Sequence, residues 1–447
     1  MITEQCVTFA SRAPRPGLPD PSPEFPDGVL ATSDQQDLEA LARTLLAVPE
    51  VQRAKAVLRE KMLADPLADT ADGRATLDNA VDEIAFMICV GTANMDFRRP
   101  RVCWYLSAPR YWLGQFVPGS RWGMDNPDNL YQHVMIDHES RYEIRVRLRG
   151  QRPAQFHYAI FDSYTGEDTR QASDLLDEPM AVLLDTGVEV GPDGSYTITI
   201  DPEPAGGRAN HMRNAPGAKL LLIRHTLTDW AHQSTPLIEV ERTGGPGPEP
   251  VRGVEEMTAQ AVRMFESAAG ILFRFKNNYY GGIEPNVISE PWLRGGGFGS
   301  SAHGRFELGE HQALVVTVDP LGARGLGFCA GDPWLVSCEH VRSTGSLNDR
   351  QAEPNPDGTY TFIVGPDDPG VWNWIDTDGL RHGNLLLRWL ALPASLTSMD
   401  GAIRGAQVID HADLPDLLPS GMTPISPAQR RALGARRALD YARRYTS

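Results

Sequence analysis

The chain has 447 residues, 41% of them hydrophobic, with 58 acidic against 42 basic side chains and a formal net charge of −16. That length accommodates roughly two to four domains of ordinary size. The acidic balance argues against a nucleic-acid backbone or an anionic membrane surface as partner, since both need a basic field; it serves solubility instead.

Residues 1–32 read as an arm, because positions 12–28 are rich in Pro, Gly and Asp and have little apolar material to bury. No basic stretch followed by an apolar core opens the chain, and no later run reaches about 18 apolar residues. Neither a signal peptide nor a membrane span is therefore expected. Cys6, Cys89, Cys103, Cys329 and Cys338 form no Cys-x-x-Cys pair. Their odd number and wide spacing suit reduced thiols and a cytoplasmic location. Residues 33–98 form a helical region. Ser33 or Asp34 can cap a helix carrying Leu38, Leu41, Leu45 and Leu46. Pro49 opens a second over 49–64, and a third spans 74–93 with Leu77, Val81, Ile84 and Ile88 on its stripe.

From about residue 99 the apolar period changes to two. The first β domain, 99–243, has strand candidates at 101–106, 130–137, 141–148, 155–161, 181–185, 195–200, 219–227 and 236–241. The linker GGPGPEP at 244–250 and a helix over 252–275 belong to a connecting region, 244–300. The second β domain, 301–412, has candidates at 305–308, 312–318, 325–330, 334–339, 359–364, 384–392 and 406–411. A C-terminal region, 413–447, ends in a helix over 427–445 capped by Ser426, and its arginines make a basic face suited to solvent or to a contact between copies.

The two β domains repeat one pattern. GPDGSYTITI at 191–200 recurs as NPDGTYTFIV at 355–364, about 164 positions later. AKLLLIRHTL at 218–227 can be laid over GNLLLRWLAL at 383–392, and MIDHESRYEIRV at 135–146 over ELGEHQALVVTV at 307–318. Self-similarity at a fixed offset fixes architecture before local detail does. The expected fold is mainly β: two tandem β-sandwich or jelly-roll-like domains related by an internal repeat, with N-terminal helices and a C-terminal helix. Tyr196 and Tyr360 should then occupy equivalent strands.

Asn126-Pro127-Asp128 before a strand, Tyr131, the Pro-Asp-Gly turn at 192–194, the strand holding Arg224, Asp229-Trp230 and the strand ending Val240-Glu241-Arg242 together resemble a bacterial family known only as domain of unknown function 1214. The resemblance covers best 121–242 and extends more weakly over 305–411. It implies a jelly-roll-type β domain and no particular reaction. Family members often carry Asn-Trp-Leu before the Arg224 strand. Here that segment reads Asn210-His211-Met212, whereas the second copy has Trp372-Asn373-Trp374.

Residues 121–129, RWGMDNPDN, are the densest polar and aromatic stretch. Asp and Asn favour turns through local backbone bonds, which is the structural account of the segment. The functional account makes Asp125 or Asp128 an acid or base, with Tyr131 or His133 as partner; alternation puts both partners on one strand face, lining a pocket in the sandwich interior. One carboxylate would stay ionised through Arg121 while the other is protonated by burial among aromatic walls. Arg121, Trp122, Asn126, Tyr158 and Arg224 are candidate substrate contacts, although an arginine flanked by LLLI often pairs with a carboxylate. The corresponding pocket of the second copy, near His303, is expected to be degenerate. Two aromatic groups, Trp104 to Trp122 and Trp334, Trp372, Trp374 and Trp389, are core packing or ligand walls.

No metal motif, nucleotide loop or nucleophile elbow occurs, so no cofactor is expected. The glycine-rich run at 295–301 reads as a loop or lid. Three readings follow. The first is a cofactor-independent lyase, hydratase or hydrolase acting on a small neutral or hydrophobic molecule in the first β domain. The others are a carbohydrate- or lipid-binding module and an assembly protein, and crowding of titratable groups beside aromatics favours the enzyme.

Overall fold

A computed structural model describes residues 29–112, 114–164, 179–247, 249–293, 299–419 and 422–445. The arm up to residue 28 and positions 295–298 of the glycine-rich run lie outside the described residues. Three helices come first. Helix α1 is Ser33–Leu46, and its cap falls one residue earlier than expected: the Thr32 hydroxyl accepts the Gln35 N–H at 3.1 Å. Helix α2 is Pro49–Leu63, with proline in its first turn. Helix α3 is Ala71–Asn94, capped by Thr70. The connecting helix α4, Val254–Tyr280, runs past its expected end. Its Met257, Met264, Phe265 and Leu272 join Leu38, Leu58, Val81 and Ile84 in one core, so α4 completes the N-terminal helical layer. A short α5, Leu414–Leu417, precedes α6, Pro427–Ala442, which opens with a Ser426/Gln429 capping box.

Strands are numbered along the chain. Apart from a small hairpin, β2 (Arg110–Trp112) and β3 (Gln115–Val117), they build two sandwiches. In the first, a five-stranded sheet runs β1 (Cys103–Leu106), β4 (Asn129–Met135), β10 (Leu220–Thr226), β6 (Gln155–Phe161), β7 (Ala181–Leu184). Its four-stranded partner runs β11 (Leu237–Gly244), β5 (Arg141–Arg147), β8 (Ser195–Asp201), β9 (His211–Arg213). The second repeats both orders. Its five-stranded sheet runs β12 (Trp292–Leu293), β13 (Ser300–Glu307), β19 (His382–Leu390), β15 (Gly325–Gly331), β16 (Ser346–Asn348). The four-stranded one runs β20 (Ile403–Asp410), β14 (Gln312–Val318), β17 (Tyr360–Gly365), β18 (Trp374–Asp376). Even the parallel pairs correspond, β8 with β9 and β17 with β18. Tyr196 stands opposite Val146 and Tyr360 opposite Val318, as the overlay of 135–146 on 307–318 requires.

Register corrects one part of the repeat. Arg224 lies between Tyr131 and His157, and Arg388 lies between Ser301 and Gly327. Interior residues agree: Leu221 and Ile223 fill the first core, Leu385 and Leu387 the second. The true counterpart of Arg224 is thus Arg388, whereas laying 218–227 over 383–392 matches it to Trp389. A one-residue slip in a strand exchanges the two faces. Residues 334–339, expected as a strand, form a turn held by Asp332, whose carboxylate accepts the N–H groups of Trp334 and Val336, each at 2.9 Å; the edge strand is instead β16. The strand expected at 305–308 begins at Ser300.

Each sandwich encloses its own apolar core, built by alternation. Phe156, Tyr158, Ile160, Ile198 and Ile223 fill the first; Val316, Phe328, Phe362, Leu387 and Trp389 fill the second. Full burial of such a side chain is worth about 1.5–3 kcal/mol. Among the described residues no helix is long and apolar enough to cross a membrane.

Candidate functional site

The first sandwich interior is closed by these side chains, so the expected pocket inside it is absent. Tyr158 is fully buried there, its hydroxyl 2.7 Å from that of Tyr196. Alternation sends Tyr131 and His133 the other way, to the outward face of the five-stranded sheet, where Met135, Leu220 and Leu222 form a separate apolar cluster. This is the main correction to the expected site.

On that outward face the expected groups do converge. The guanidinium carbon of Arg224 lies 5.0 Å from the centre of the Tyr131 ring. The ring of His133 stacks on Tyr105 at 4.1 Å and keeps part of its surface exposed although it lies deep. Burial, then the neighbouring Arg224, pulls its pKa down to about 3, so the imidazole is neutral at ordinary pH. His157, across the strand from Arg224, is pushed well below its ordinary value by burial, then by Arg224 and His225. The Tyr131 oxygen accepts the Asn126 N–H at 2.9 Å and an Asn129 amide hydrogen at 3.3 Å. Its own O–H hydrogen is therefore left to donate.

Residues 121–129 lead into β4 and lie against the outward face of the second five-stranded sheet. Arg388 donates to the Met124 carbonyl and, at 3.4 Å, to the Cys329 sulfur; that sulfur lies 3.9 Å from the Asp125 carbonyl. Glycines permit the approach. A Cβ on Gly331 would overlap the Met124 sulfur at 2.0 Å, and one on Gly327 would touch the Asp128 carboxylate at 3.6 Å.

Asp125 and Asp128 are brought into this seam but are held as structural groups. Asp125 accepts from the Ser337 hydroxyl. Asp128 accepts from Trp230 Nε1 at 2.8 Å and Asn348 Nδ2 at 2.7 Å, and Asn348 also donates to the Thr228 carbonyl at 2.9 Å. Burial raises both to about 6, against the opposing hydrogen bonds. Burial acts on both in the same direction, so these surroundings do not set the two apart as one ionised and one protonated carboxylate. Arg121 is committed to Glu83, which accepts its backbone N–H at 2.8 Å and its Nε at 3.0 Å. Trp122 lines a small apolar cavity with Met87, Met264 and Leu272, away from Tyr131. Asn126 accepts the Asp128 N–H at 3.0 Å through Oδ1, while its buried Nδ2 meets no acceptor among the described residues.

Sequence reasoning passed over Arg388 and Asn348; His303 it did associate with the corresponding place in the second copy. His303 occupies the position of His133 and stacks on Tyr279 and Trp292, each at 5.0 Å, so this place in the second copy is filled by aromatics. The repeat could have found Arg388 had the overlay of 218–227 on 383–392 been shifted by one residue. The basic face expected on the last helix is also partly buried. Arg437 donates to the Ser346 carbonyl at 2.9 Å and Arg444 to the Pro127 carbonyl at 2.8 Å, both guanidinium groups within 5.0 Å of the Trp230 ring centre. Trp104 and Trp112 sandwich Arg110, which is bound to Glu39. Trp334, Trp372, Trp374 and Trp389 share no surface; each indole N–H donates to a different backbone carbonyl. Cys329 and Cys338 belong to different cores and both are free thiols. Among the described residues no group of three or more His, Cys, Asp or Glu side chains could hold a metal ion.

No family model and no curated protein matches this chain. A crystal structure of an uncharacterized protein from Burkholderia cenocepacia is similar with a TM-score of 0.67 at 21% identity, over 83% of this chain and 100% of that one. That likeness supports the β-rich fold. A protein from Vibrio parahaemolyticus gives a TM-score of 0.38 at 9% identity, over 64% of this chain and 90% of that one.

Proposed function

We propose that the chain is a cofactor-independent enzyme of lyase, hydratase or hydrolase type, acting on a small molecule by acid–base chemistry. Its site is the outward face of the first five-stranded sheet, where that face meets the seam between the sandwiches. The observation that carries the reading is the grouping of a phenol with a donatable hydrogen, a neutral, largely buried imidazole and a guanidinium around Tyr131, His133 and Arg224.

The roles follow from protonation. Tyr131 donates its proton to an oxygen that leaves or becomes negative. Neutral His133, too weak a base to remove a proton readily at pH 7, polarises a carbonyl through an N–H, and Arg224 stabilises the charge that develops. Asp125 and Asp128 hold the seam. A cytoplasmic location and kinship with the domain-of-unknown-function 1214 family belong to the same proposal. The carbohydrate-binding alternative receives less support, because the tryptophans it would use are spent on backbone carbonyls.

The test is a metabolite screen by thermal shift, with each stabilising compound followed for chemical change by NMR. Tyr131→Phe and His133→Ala should each lower turnover about 10²–10⁴-fold with an unchanged circular dichroism spectrum. Near-normal turnover in both variants would remove the proposed site.

A further inference from the structure

A sheet ends in edge strands whose outer N–H and C=O groups have no neighbouring strand, and short or charged edges keep other chains from pairing there. Among the edges of the four sandwich sheets, all but two are strands of two to four residues. The two long ones, β11 and β20, have eight residues each and occupy corresponding places in the two copies. Ile238 and Val240 of β11 pack on the first core, so Glu239 and Glu241 face outward. A second β11 laid antiparallel beside it, centred on residue 239, 240 or 241, would set carboxylate against carboxylate. That edge repels its own copy.

β20 carries no such guard. Ile403, Ala406 and Val408 pack on the second core, so Gly405, Gln407 and Ile409 face outward without a charge. Gly405 is not left-handed, and a Cβ there would meet nothing within 4 Å. A glycine inside a strand weakens it, and marks either a bulge or the close approach of another backbone. The irregularity just before Gly405 makes no use of its left-handed freedom, which leaves the approach. The backbone groups point the same way. The His411 N–H donates to the His311 carbonyl, directly opposite, at 2.8 Å, and bonded pairs alternate along an antiparallel ladder. Gly405, Gln407 and Ile409 thus turn their backbone groups to β14, while Ala406 and Val408 present theirs at the free edge.

We propose that β20 pairs antiparallel with β20 of a second copy of this chain about a two-fold axis at Gln407, joining two four-stranded sheets into one. In that register Ala406 lies opposite Val408 and exchanges both backbone bonds with it. Gly405 makes room for Ile409 of the second copy. The two Gln407 amides meet at the axis, where each can donate and accept. Arg404 and Asp410 bring opposite charges to the two ends of the contact. Within one chain Arg404 bonds Asp319 at 2.7 Å and Asp410 accepts from Gln312 at 3.2 Å, and both stay exposed. The contact between copies therefore moves from the last helix, whose Arg437 and Arg444 are buried in their own chain, to β20. It is independent of the catalytic reading.

The experiment is sedimentation velocity of the full chain across the micromolar range, which should show a monomer–dimer equilibrium. Gln407→Glu and Gln407→Lys each set like charges against each other at the axis, and each should weaken the dimer at least about tenfold. An equimolar mixture of the two variants should recover it. Gly405→Leu fills the space that Ile409 of the second copy needs, and should abolish the dimer while Tm stays within a few degrees. A monomer at every concentration overturns the proposal, and so does a dimer that Gly405→Leu and both charge variants leave unchanged. Hydrogen exchange reads the edge itself. The amide hydrogens of Ala406 and Val408 should exchange slowly in the dimer and quickly in Gln407→Glu. Slow exchange of both in a monomer would mean that another part of the chain covers β20, which also overturns the proposal.

Discussion

The two five-stranded sheets share a strand order and differ in what they turn outward. At four corresponding positions the first carries Tyr131, His133, His157 and Arg224, and the second carries Ser301, His303, Gly327 and Arg388. Both copies thus hold a histidine and an arginine, but where the first has a phenol and an imidazole the second has a hydroxymethyl group and a hydrogen atom. The small residues make room for segment 121–129 to lie on the second sheet. The first face keeps its own reactive side chains. One copy has become a platform, the other carries the proposed site, and the seam is where they meet.

The largest effect on this arrangement should come from Glu83, the buried anchor that holds Arg121 at the start of the segment. Glu83→Ala leaves an uncompensated buried guanidinium and should cost about 3–5 kcal/mol. Urea unfolding measures it, and a loss below about 1 kcal/mol would mean the segment is not pinned there. A smaller effect is expected at the other end. Asn348→Ala removes one bond to the Asp128 carboxylate and one to the Thr228 carbonyl, and should cost about 2 kcal/mol. Hydrogen exchange should then accelerate in the seam rather than in either sandwich interior; the opposite pattern would show that Asn348 serves only its own sheet.

The smallest effect at neutral pH should come from the interior face of the same strand. His225 is fully buried, stacks on Phe156 at 5.5 Å, and neither ring nitrogen meets a hydrogen-bond partner among the described residues. Burial takes its pKa down to about 3 from an ordinary 6.5. A depressed histidine pKa gives stability that is present above the unfolded value and is lost as pH falls through the window from 6.5 towards 3. His225→Phe should therefore be nearly neutral at pH 8 and, at pH 5, more stable than the parent by about 2 kcal/mol through this group. Equal pH dependence in parent and variant would place the titration elsewhere.

Much of this was legible in the chain. The Pro-Asp-Gly turns and the alternating strands around them disclose two related sandwiches, because turn chemistry and period two are local properties. The grouping of Tyr131, His133 and Arg224 was also readable. The face on which they converge was not, because alternation says that two residues share a face without saying whether that face is core or seam. Leu220 and Leu222, as apolar as their interior neighbours, concealed the answer: the outward side of this strand is covered as well. The role of Asp128 depends on Asn348, 220 positions away, and Arg388 emerges only once the register of the repeat is known to a single residue.

The claim that the site lies on the outward face and not in the interior is tested most directly by two near-isosteric changes on the strands that flank β10. Tyr131→Phe and Tyr158→Phe each remove one hydroxyl, the first from the outward face and the second from the core. With any metabolite that the parent protein turns over, the first variant should lose at least a hundredfold in kcat/KM while remaining folded, its lost bonds to Asn126 and Asn129 costing about 1–3 kcal/mol of stability. The second should lose stability, about 1 kcal/mol for its bond to Tyr196, and keep its turnover. Loss of turnover in Tyr158→Phe with near-normal turnover in Tyr131→Phe would return the site to the sandwich interior.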